Sequence, residues 1–428
     1  MFTQHFSEFP SDHTDAAAGT LPLLSSLLGQ LIRSGRLKLI DSRGRISNFG
    51  SDLGGPRVTV RMHSPTVPLR LLLRPSLALG EAYMDGTITI EEGTLRDLLH
   101  LCTINFEVVD RSPIGRLRCQ FGRTLRRSQQ NNRLGRARSN VAYHYDLSVV
   151  LFDLFPDQDR QYSCAYFQTG AETLDEAQEM KKRHTSAKLL LRAGMRVLDI
   201  GSGWGGLALD LARTAKVDVT GLTLSQEQVA VASGRAASEC LFDQFRFALR
   251  DYREHQGTYD PVVSVGMFEH VGVAHYRSYF DTLRERLNPD GVALVHSIGQ
   301  ADIPGFTDPW LPKDIFPGGY CPALSEVLAA VEQSGLWVTI IEILRLHYVD
   351  TLRHWFDRFQ ANRDRAKAIY DERFCRMWEF YLAACEAAFR NGPMMVFQLQ
   401  LARRRDAAPL TRDYIADRQR SGAEATEI

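Results

Sequence analysis

Residues 195–206, Met-Arg-Val-Leu-Asp-Ile-Gly-Ser-Gly-Trp-Gly-Gly, restrict the fold more than any other stretch of this chain. A short aliphatic segment, Val197 to Ile200, runs into Gly201, Gly203, Gly205 and Gly206, and Leu207-Ala208-Leu209 then begins a helical pattern. Glycine lets a backbone turn tightly and approach a ligand closely, because no Cβ intervenes. The helix that follows points its unpaired N–H groups back at whatever occupies the turn. A glycine cluster taken alone is equally a plain strand-to-helix turn. Here strands and helices alternate after it, which favours a cofactor turn at the carboxyl end of a first strand.

The spacing is Asp199-x-Gly-x-Gly-x-Gly, with the acid inside the strand end. A dinucleotide-binding turn more often reads Gly-x-Gly-x-x-Gly without that aspartate. The pattern resembles the first motif of class I S-adenosylmethionine-dependent methyltransferases. Downstream, strands are expected at Val217 to Leu222, Phe245 to Leu249, Val262 to Gly266, Gly291 to Ile298 and Trp337 to Arg345. Helices are expected at Leu174 to Leu191, Ser225 to Cys240, His275 to Leu287 and Leu324 to Ser334. Two further helical patterns, Asp350–Asn362 and Asp364–Arg390, precede a last alternating strand, Met394 to Leu401. The expected class is α/β: a Rossmann-like, class I methyltransferase-like doubly wound sheet with helices on both faces.

Composition narrows the setting. At 428 residues the chain accommodates two or three domains. Lys plus Arg (51) balances Asp plus Glu (51), so no global field draws the protein to nucleic acid. The seven cysteines form no Cys-x-x-Cys pair, which suits a reduced, cytoplasmic setting. Met1 to Pro10 lack a basic and an apolar segment, so no secretory leader is expected there. The greasiest stretch, Leu69 to Leu79, is broken by Arg70, Arg74 and Pro75 and is too short to span a bilayer. The expectation is a soluble protein, or one peripheral to the inner face of a membrane.

Five regions follow in order. Residues 1–20 are polar and read as a disordered tail. Residues 21–110 read as a small α+β domain. It holds a helix from Leu21 to Ile32, strands at Val58 to Arg61, Leu69 to Leu73 and Thr87 to Ile90, and the stretch Gly80-Glu81-Ala82-Tyr83-Met84-Asp85-Gly86. Residues 111–140 carry Arg111, Arg116, Arg118, Arg123, Arg126, Arg127, Arg133, Arg136 and Arg138 without an acid. They read equally as a solvated linker and as an attachment to anionic headgroups, where each cation contributes about 1 kcal/mol. No aromatic platform for nucleic acid is interleaved with them. Residues 141–405 form the alternating catalytic domain, and 406–428 a charged, frayed tail.

In a doubly wound sheet, ligands bind outside the carboxyl ends of the strands. The second strand ends in Thr223-Leu224-Ser225, followed by Gln228, all able to meet a ribose. No acid stands there to take the ribose hydroxyls. The third ends in Asp251-Tyr252-Arg253, a carboxylate and a ring suited to an adenine. After the fourth come Met267-Phe268-Glu269-His270-Val271-Gly272, and inside the fifth Val295-His296-Ser297-Ile298. Glu269 and His296 are therefore expected on adjacent strand ends, facing one crevice. Singly, each has a plain structural role: His296 as a satisfied core imidazole, Glu269 as a helix-start acid, Cys164 as a small hydrophobe, Tyr348 as packing.

Taken together these motifs resemble the cyclopropane-fatty-acyl-phospholipid synthases and, more distantly, the mycolic acid cyclopropane synthases. The resemblance runs through Tyr143-His144-Tyr145-Asp146, Tyr162-Ser163-Cys164-Ala165-Tyr166, the glycine turn, Thr223-Leu224-Ser225, Asp251-Tyr252-Arg253 and Val265 to Gly272. It continues through Phe316-Pro317-Gly318-Gly319, Tyr348, Thr351-Leu352, Trp355, Arg376-Met377-Trp378 and Phe389-Arg390. Ser202 stands where the family often has Cys, and Phe167 where Trp is common. The stretch Gly80 to Gly86 resembles, more weakly, the family's amino-terminal lipid-handling domain, which implies that role for residues 21–110.

The resemblance implies that an alkene in an unsaturated phospholipid acyl chain, at the membrane surface, attacks the sulfonium methyl of S-adenosylmethionine. One proton then leaves the transferred methyl and the ring closes. A bound bicarbonate ion takes that proton. Its implied cradle is Cys164, Glu269, His296 and Tyr348 with the Ile298 backbone. Cys385 falls on a family cysteine position, although no step needs a nucleophilic thiol and packing is its alternative role. Tyr162, Ser163, Gly201, Gly203, Thr223, Gln228, Tyr252 and Arg253 match cofactor positions. Tyr145, Asp199, Ser202, Trp204, Gly205, Gly206, Leu224, Ser225 and Asp251 complete the expected cofactor set. No metal is expected, and a homodimer is a candidate assembly. The rival activities are a fatty-acyl C-methyltransferase that leaves the ring open and a non-catalytic lipid-binding protein.

Overall fold

The computed structural model describes residues 22–51, 54–105, 150–241, 243–305 and 308–424. The expectations for residues 1–20, for 111–140 and for Tyr143 to Asp146, Tyr145 among them, lie outside that set. The chain divides into two units, Met1–Arg116 with Glu372–Ala387, and Leu117–Asp371 with Ala388–Ile428.

The smaller unit has four strands: β1 (Arg36–Ile40), β2 (Ile46–Gly50), β3 (Arg57–Met62) and β4 (Ile88–Glu92). They lie in the order β2-β1-β3-β4, with β1 parallel to β3 and the outer pairs antiparallel. Alternation sets the inner face: Leu37 and Leu39 pair with Val58 and Val60 and are buried with them. Around this sheet are α1 (Pro22–Leu31), α2 (Val67–Leu73), α3 (Pro75–Met84) and α4 (Leu95–Ile104). Leu24 of α1 is buried, whereas Leu23 and Leu27 are exposed, so α1 covers the core with a narrow edge.

One sequence expectation is corrected here. Leu69 to Leu73 is helix, not strand, because Pro68 sits in the first turn, where its fixed φ suits a helix and its missing N–H costs nothing. Gly80 to Met84, given no element from sequence, forms the last half of α3. β1, β2 and α4 went unread. The start of α4 nevertheless carries a local mark, a capping box in which Thr94 and Asp97 exchange hydrogen bonds.

The larger unit holds a seven-stranded sheet: β5 (Arg196–Ile200), β6 (Asp218–Thr223), β7 (Phe245–Leu249), β8 (Tyr259–Val265), β9 (Leu287–Gln300), β10 (Trp337–Ile343) and β11 (Met394–Ala402). Their order is β10-β11-β9-β8-β5-β6-β7, parallel throughout except for β11, which runs antiparallel between β9 and β10. Helices α5 (Leu174–Lys188), α6 (Gly206–Ala215), α7 (Gln226–Ser238), α8 (Tyr276–Arg286), α9 (Trp310–Asp314) and α10 (Leu324–Ser334) alternate with the strands. After β10 come α11 (His347–Ala361), α12 (Arg363–Ile369) and α13 (Glu372–Asn391), and α14 (Asp413–Glu424) follows β11.

Both faces of this sheet are covered, as parallel strands require. Val197 and Val219 pack with Leu207 and Leu211 on one side, while Leu198 and Ile200 pack with Phe268, Phe280 and Val327 on the other. From β5 the chain builds outward through β6 and β7, then returns to lay β8 and β9 on the opposite side. The switch point between β5 and β8 opens the crevice where ligands of such sheets sit.

Three differences concern the carboxyl-terminal third. The long pattern 364–390 is two helices, broken at Tyr370, whose φ of −118° and ψ of −115° leave the helical region. Most of α13 groups with the smaller unit rather than with residues 141–405: Tyr83 Oη donates to Glu379 at 2.9 Å, and Arg96 and Arg373 pair with Glu386 and Asp85. Residues after 405 are not wholly frayed, for α14 returns to α5 and ties down through Arg418 on the Leu191 carbonyl (3.0 Å) and Tyr414 on Gln400 (2.9 Å).

Candidate active site

The glycine turn is built from backbone. Gly201, Gly203 and Gly205 have φ of +86°, +54° and +85°, the left-handed region where a side chain is strained. At Gly201 a Cβ would come within 2.8 Å of the Met267 Cβ, and at Gly205 it would strike the Phe247 ring. At Gly203, which lines the crevice, a Cβ would meet no atom of the described residues within 4 Å. Gly205 caps α6, whose first N–H groups open onto the same space.

The crevice is one cavity. Of the sequence-expected cofactor residues, Tyr162, Ser163, Asp199, Gly201, Ser202, Gly203, Trp204, Gly206, Thr223, Leu224, Gln228, Asp251, Tyr252 and Arg253 line it. Two do other work. Gly205 packs against Phe247 and Ala232, and Ser225 is the N-cap of α7, its Oγ accepting from the Gln228 N–H at 3.3 Å. Thr223 Oγ1 donates to Gln228 Oε1 at 2.6 Å, so the pair presents one pre-formed polar edge. Arg253 grips Asp251 bidentately (2.8 and 2.7 Å), which fixes this carboxylate at the rim. Gln161, Met267 and His270 also line the cavity. The last two stand in the motif after the fourth strand, and their position there was the signal available.

Charge in this cavity is tuned by burial. Asp199 is 2% exposed, and burial pushes its carboxyl up to about 7 against the Ser202 hydrogen bond and the Lys181 charge. Lys181 is itself buried, which lowers its ammonium to about 8 against the pull of Asp157, and it donates to Ser163 Oγ at 3.0 Å. Tyr162 stacks on Trp355 at 5.0 Å and meets Phe152 and Phe155 edge-on, so an aromatic wall adjoins the polar turn. Such rings attract a cation over their faces.

The second group of expected residues lies at the ends of β8 and β9. Glu269 sits in a single 3-10 turn, Phe268–His270, immediately after β8. Its Oε1 accepts the Ile298 N–H at 2.6 Å, while Oε2 is buried and, among the described residues, has no hydrogen-bond partner. Burial pushes this carboxyl up to about 7, against that hydrogen bond. The Ile298 N–H is thus already engaged by Glu269. His296, two residues back on the same face of β9, is 2% exposed. Burial, with the nearby charges of Lys181 and Lys188, lowers its imidazole to about 3, so the ring is neutral.

Cys164 and Tyr348 lie on segments joined through Thr351. The Cys164 thiol donates to the Ala165 carbonyl at 3.3 Å, and burial pushes its pKa far up, so it stays a thiol. The Ala165 N–H donates to Thr351 Oγ1 at 3.0 Å, and Thr351 lies one turn from Tyr348 on α11. Tyr348 stands edge-on to Trp355 (5.8 Å) and Phe389 (4.8 Å), continuing the aromatic wall. Cys385 belongs to the other unit; burial raises its thiol to about 12.

What sequence reasoning missed is a polar row behind His296. In register across three strands lie His296 on β9, Gln398 on β11 and Glu342 on β10, and Lys188 of α5 reaches into the row. Gln398 and Gln400 alternate on an otherwise apolar strand buried on both faces, and that alternation was the readable signal.

Comparison with known proteins adds to this geometry. A family profile described as mycolic acid cyclopropane synthetase matches residues 132–399, and a profile for a domain of unknown function matches 37–107. A Pseudomonas putida protein named as a probable fatty acid methyltransferase is 36% identical, over 85% of this chain and 90% of its own. The Escherichia coli K12 cyclopropane-fatty-acyl-phospholipid synthase is also 36% identical, over 82% of this chain and 89% of its own. Among solved structures, mycolic acid cyclopropane synthase CmaA1, complexed with SAH and CTAB, matches with a TM-score of 0.59 and 34% identity, over 62% of this chain and 97% of that one.

Proposed function

The chain belongs to the mycolic acid cyclopropane synthetase family, and from that membership we propose that it transfers a methylene group from S-adenosylmethionine to the double bond of unsaturated phospholipid acyl chains, closing a cyclopropane ring. It is an S-adenosylmethionine-dependent methyltransferase with the class I fold. The observation that carries the ring-closing reading is Glu269: a buried carboxyl with one oxygen bonded to the Ile298 N–H and the other, among the described residues, without a hydrogen-bond partner.

Orphaned buried acceptors are costly unless something supplies a hydrogen. A bicarbonate ion fits that need, since its O–H can donate to Glu269 Oε2 and its charge can be met by donors around it. When bound, it supplies a base for the proton that leaves the transferred methyl. Glu269, His296, Cys164 and Tyr348 would hold it, with Ile298 acting through Glu269. S-adenosylmethionine supplies the methyl as a sulfonium, and the glycine turn, the Thr223–Gln228 edge and Tyr252 would hold its nucleoside.

The remaining work falls to residues of the chain. Glu269, near neutrality in its pKa, can share a proton with an adjacent anion instead of repelling it. Neutral His296 offers a directed hydrogen bond without adding a cation that would disfavour a developing carbocation. Tyr162 lines the cavity with Trp355 and Tyr348 packed behind it, an aromatic cluster whose π-faces would favour positive charge.

The substrate lies in a membrane. Among the described residues no helix is long and apolar enough to cross one. The proposed setting is peripheral, at the inner face, with the arginines of 111–140 as contacts for anionic headgroups.

The test uses the full chain, methyl-labelled S-adenosylmethionine and vesicles of mono-unsaturated phosphatidylglycerol. Mass spectrometry and proton NMR of the released acyl chains read the product. The expected product gains one CH2, loses its alkene and shows cyclopropyl protons. A branched or exo-methylene chain would overturn ring closure, and an unlabelled lipid would overturn the substrate.

A further inference from the structure

We infer that Gln398, held by Lys188, fixes His296 in the tautomer that carries its hydrogen on Nε2, which makes Lys188 and Gln398 positioning residues for the reaction proposed above.

Donors and acceptors along the row decide the tautomer. Lys188 Nζ lies 2.5 Å from Gln398 Oε1 and also contacts Glu342 Oε2. Glu342 is ionised: despite burial, its bonds to His184 and Lys188 hold its carboxyl at about 2. Burial lowers the pKa of the Lys188 ammonium and Glu342 opposes that, and with both contacts made to oxygens Nζ is the donor to Gln398. The Gln398 amide therefore turns its oxygen to Lys188 and its NH2 to the other side. There, 3.0 Å away, stands His296 Nδ1. An NH2 group cannot face another N–H, so Nδ1 accepts and the ring hydrogen resides on Nε2. His296 then has Nε2–H to offer to a proton-accepting anion.

The row is anchored at every point. Gln398 is fully buried and lies opposite His296 on one side and opposite Glu342 on the other. His184 Nε2 meets Glu342 Oε2 at 2.8 Å, and Gln400 Nε2 donates to the Lys188 carbonyl at 2.6 Å. The lysine is thus held by side chain and backbone alike, and the amide has no alternative orientation that satisfies both neighbours. A cation, an amide and an imidazole in series convert the position of one charge into the choice of one tautomer.

The inference rests on the proposed reaction for its consequence but not for its geometry, and the test separates the two. Full-length protein labelled with [15N]histidine is read by long-range 1H–15N correlation, with His296 assigned by the signals lost in His296→Asn. The native ring should show hydrogen on Nε2. Gln398→Glu keeps an acceptor for Lys188 but places a carboxylate oxygen against Nδ1, so the tautomer should invert to Nδ1–H. Its kcat for ring formation should fall roughly 10–100-fold while KM for S-adenosylmethionine holds within about twofold. Lys188→Met frees the amide to rotate and should give a mixture of tautomers. A native Nδ1–H ring, or an unchanged ring in Gln398→Glu, overturns the inference. So do kcat losses that merely track melting temperature across both variants. Should the tautomers shift as stated while the native protein forms no ring, the positioning stands and the reaction assignment falls.

Discussion

Two parts of the larger unit do contrasting work. The glycine turn at the end of β5 recognises through backbone: its positive φ values and open Gly203 face leave room and N–H groups for a ligand. The centre at the ends of β8 and β9 recognises through side chains gathered from residues far apart in the chain, each buried and tuned by burial. The first can bind a nucleoside with little regard to protonation. In the second, the proposed reaction depends on where single protons reside.

That contrast predicts separable failures. The largest effect is expected for Glu269→Gln, which keeps the shape but removes the acceptor that shares a proton. Ring formation should fall on the order of 10²–10³-fold in kcat. S-adenosylmethionine affinity, measured by calorimetry, should stay within about twofold. Equal loss of both would merge the two regions into one.

Stability against pH comes next. The folded Glu269 pKa, about 7, is raised above its ordinary 4.5, so the folded chain keeps a proton that the unfolded chain releases between those values. Native stability therefore falls as pH rises through that window and levels off above it, by about 3 kcal/mol from this group. Asp199 contributes a similar slope that persists in the variant. Denaturant titrations of the ligand-free protein should show Glu269→Gln gaining on the native chain from pH 4.5 to 7. Parallel curves would deny the buried, protonated carboxyl.

Gly203→Val acts on the other region. A β-branched residue at φ +54° is strained and projects into the cavity. Affinity for S-adenosylmethionine should drop roughly 10–100-fold, with circular dichroism unchanged. The smallest effect belongs to Ser225→Ala. Loss of this cap should cost about 1 kcal/mol of stability and leave cofactor affinity unaltered, because Ser225 caps α7 instead of lining the cavity.

The same contrast governs what could be read from sequence. The turn was legible because left-handed backbone demands glycine at fixed offsets, and the pairing of Glu269 with the Ile298 strand followed from alternation. Ser225 misled because a helix cap and a ribose contact ask for the same hydroxyl at the same place. Leu69 to Leu73 misled because apolar runs of that length suit either state, and Pro68 decided for helix. The row His296–Gln398–Glu342 with Lys188 stayed hidden since its members are joined only by sheet order and register. Antiparallel insertion of β11 between β9 and β10 is what brings them together, and no local spacing encodes it.

The central claim is that ring closure uses a proton-accepting anion held by Glu269. Its most direct test is the initial rate of cyclopropane formation in carbonate-free buffer, before and after bicarbonate is restored, in the native protein and in Glu269→Gln. The account predicts that the native rate falls on depletion and recovers on addition, while the already slow variant responds to neither. A native rate indifferent to bicarbonate would contradict it.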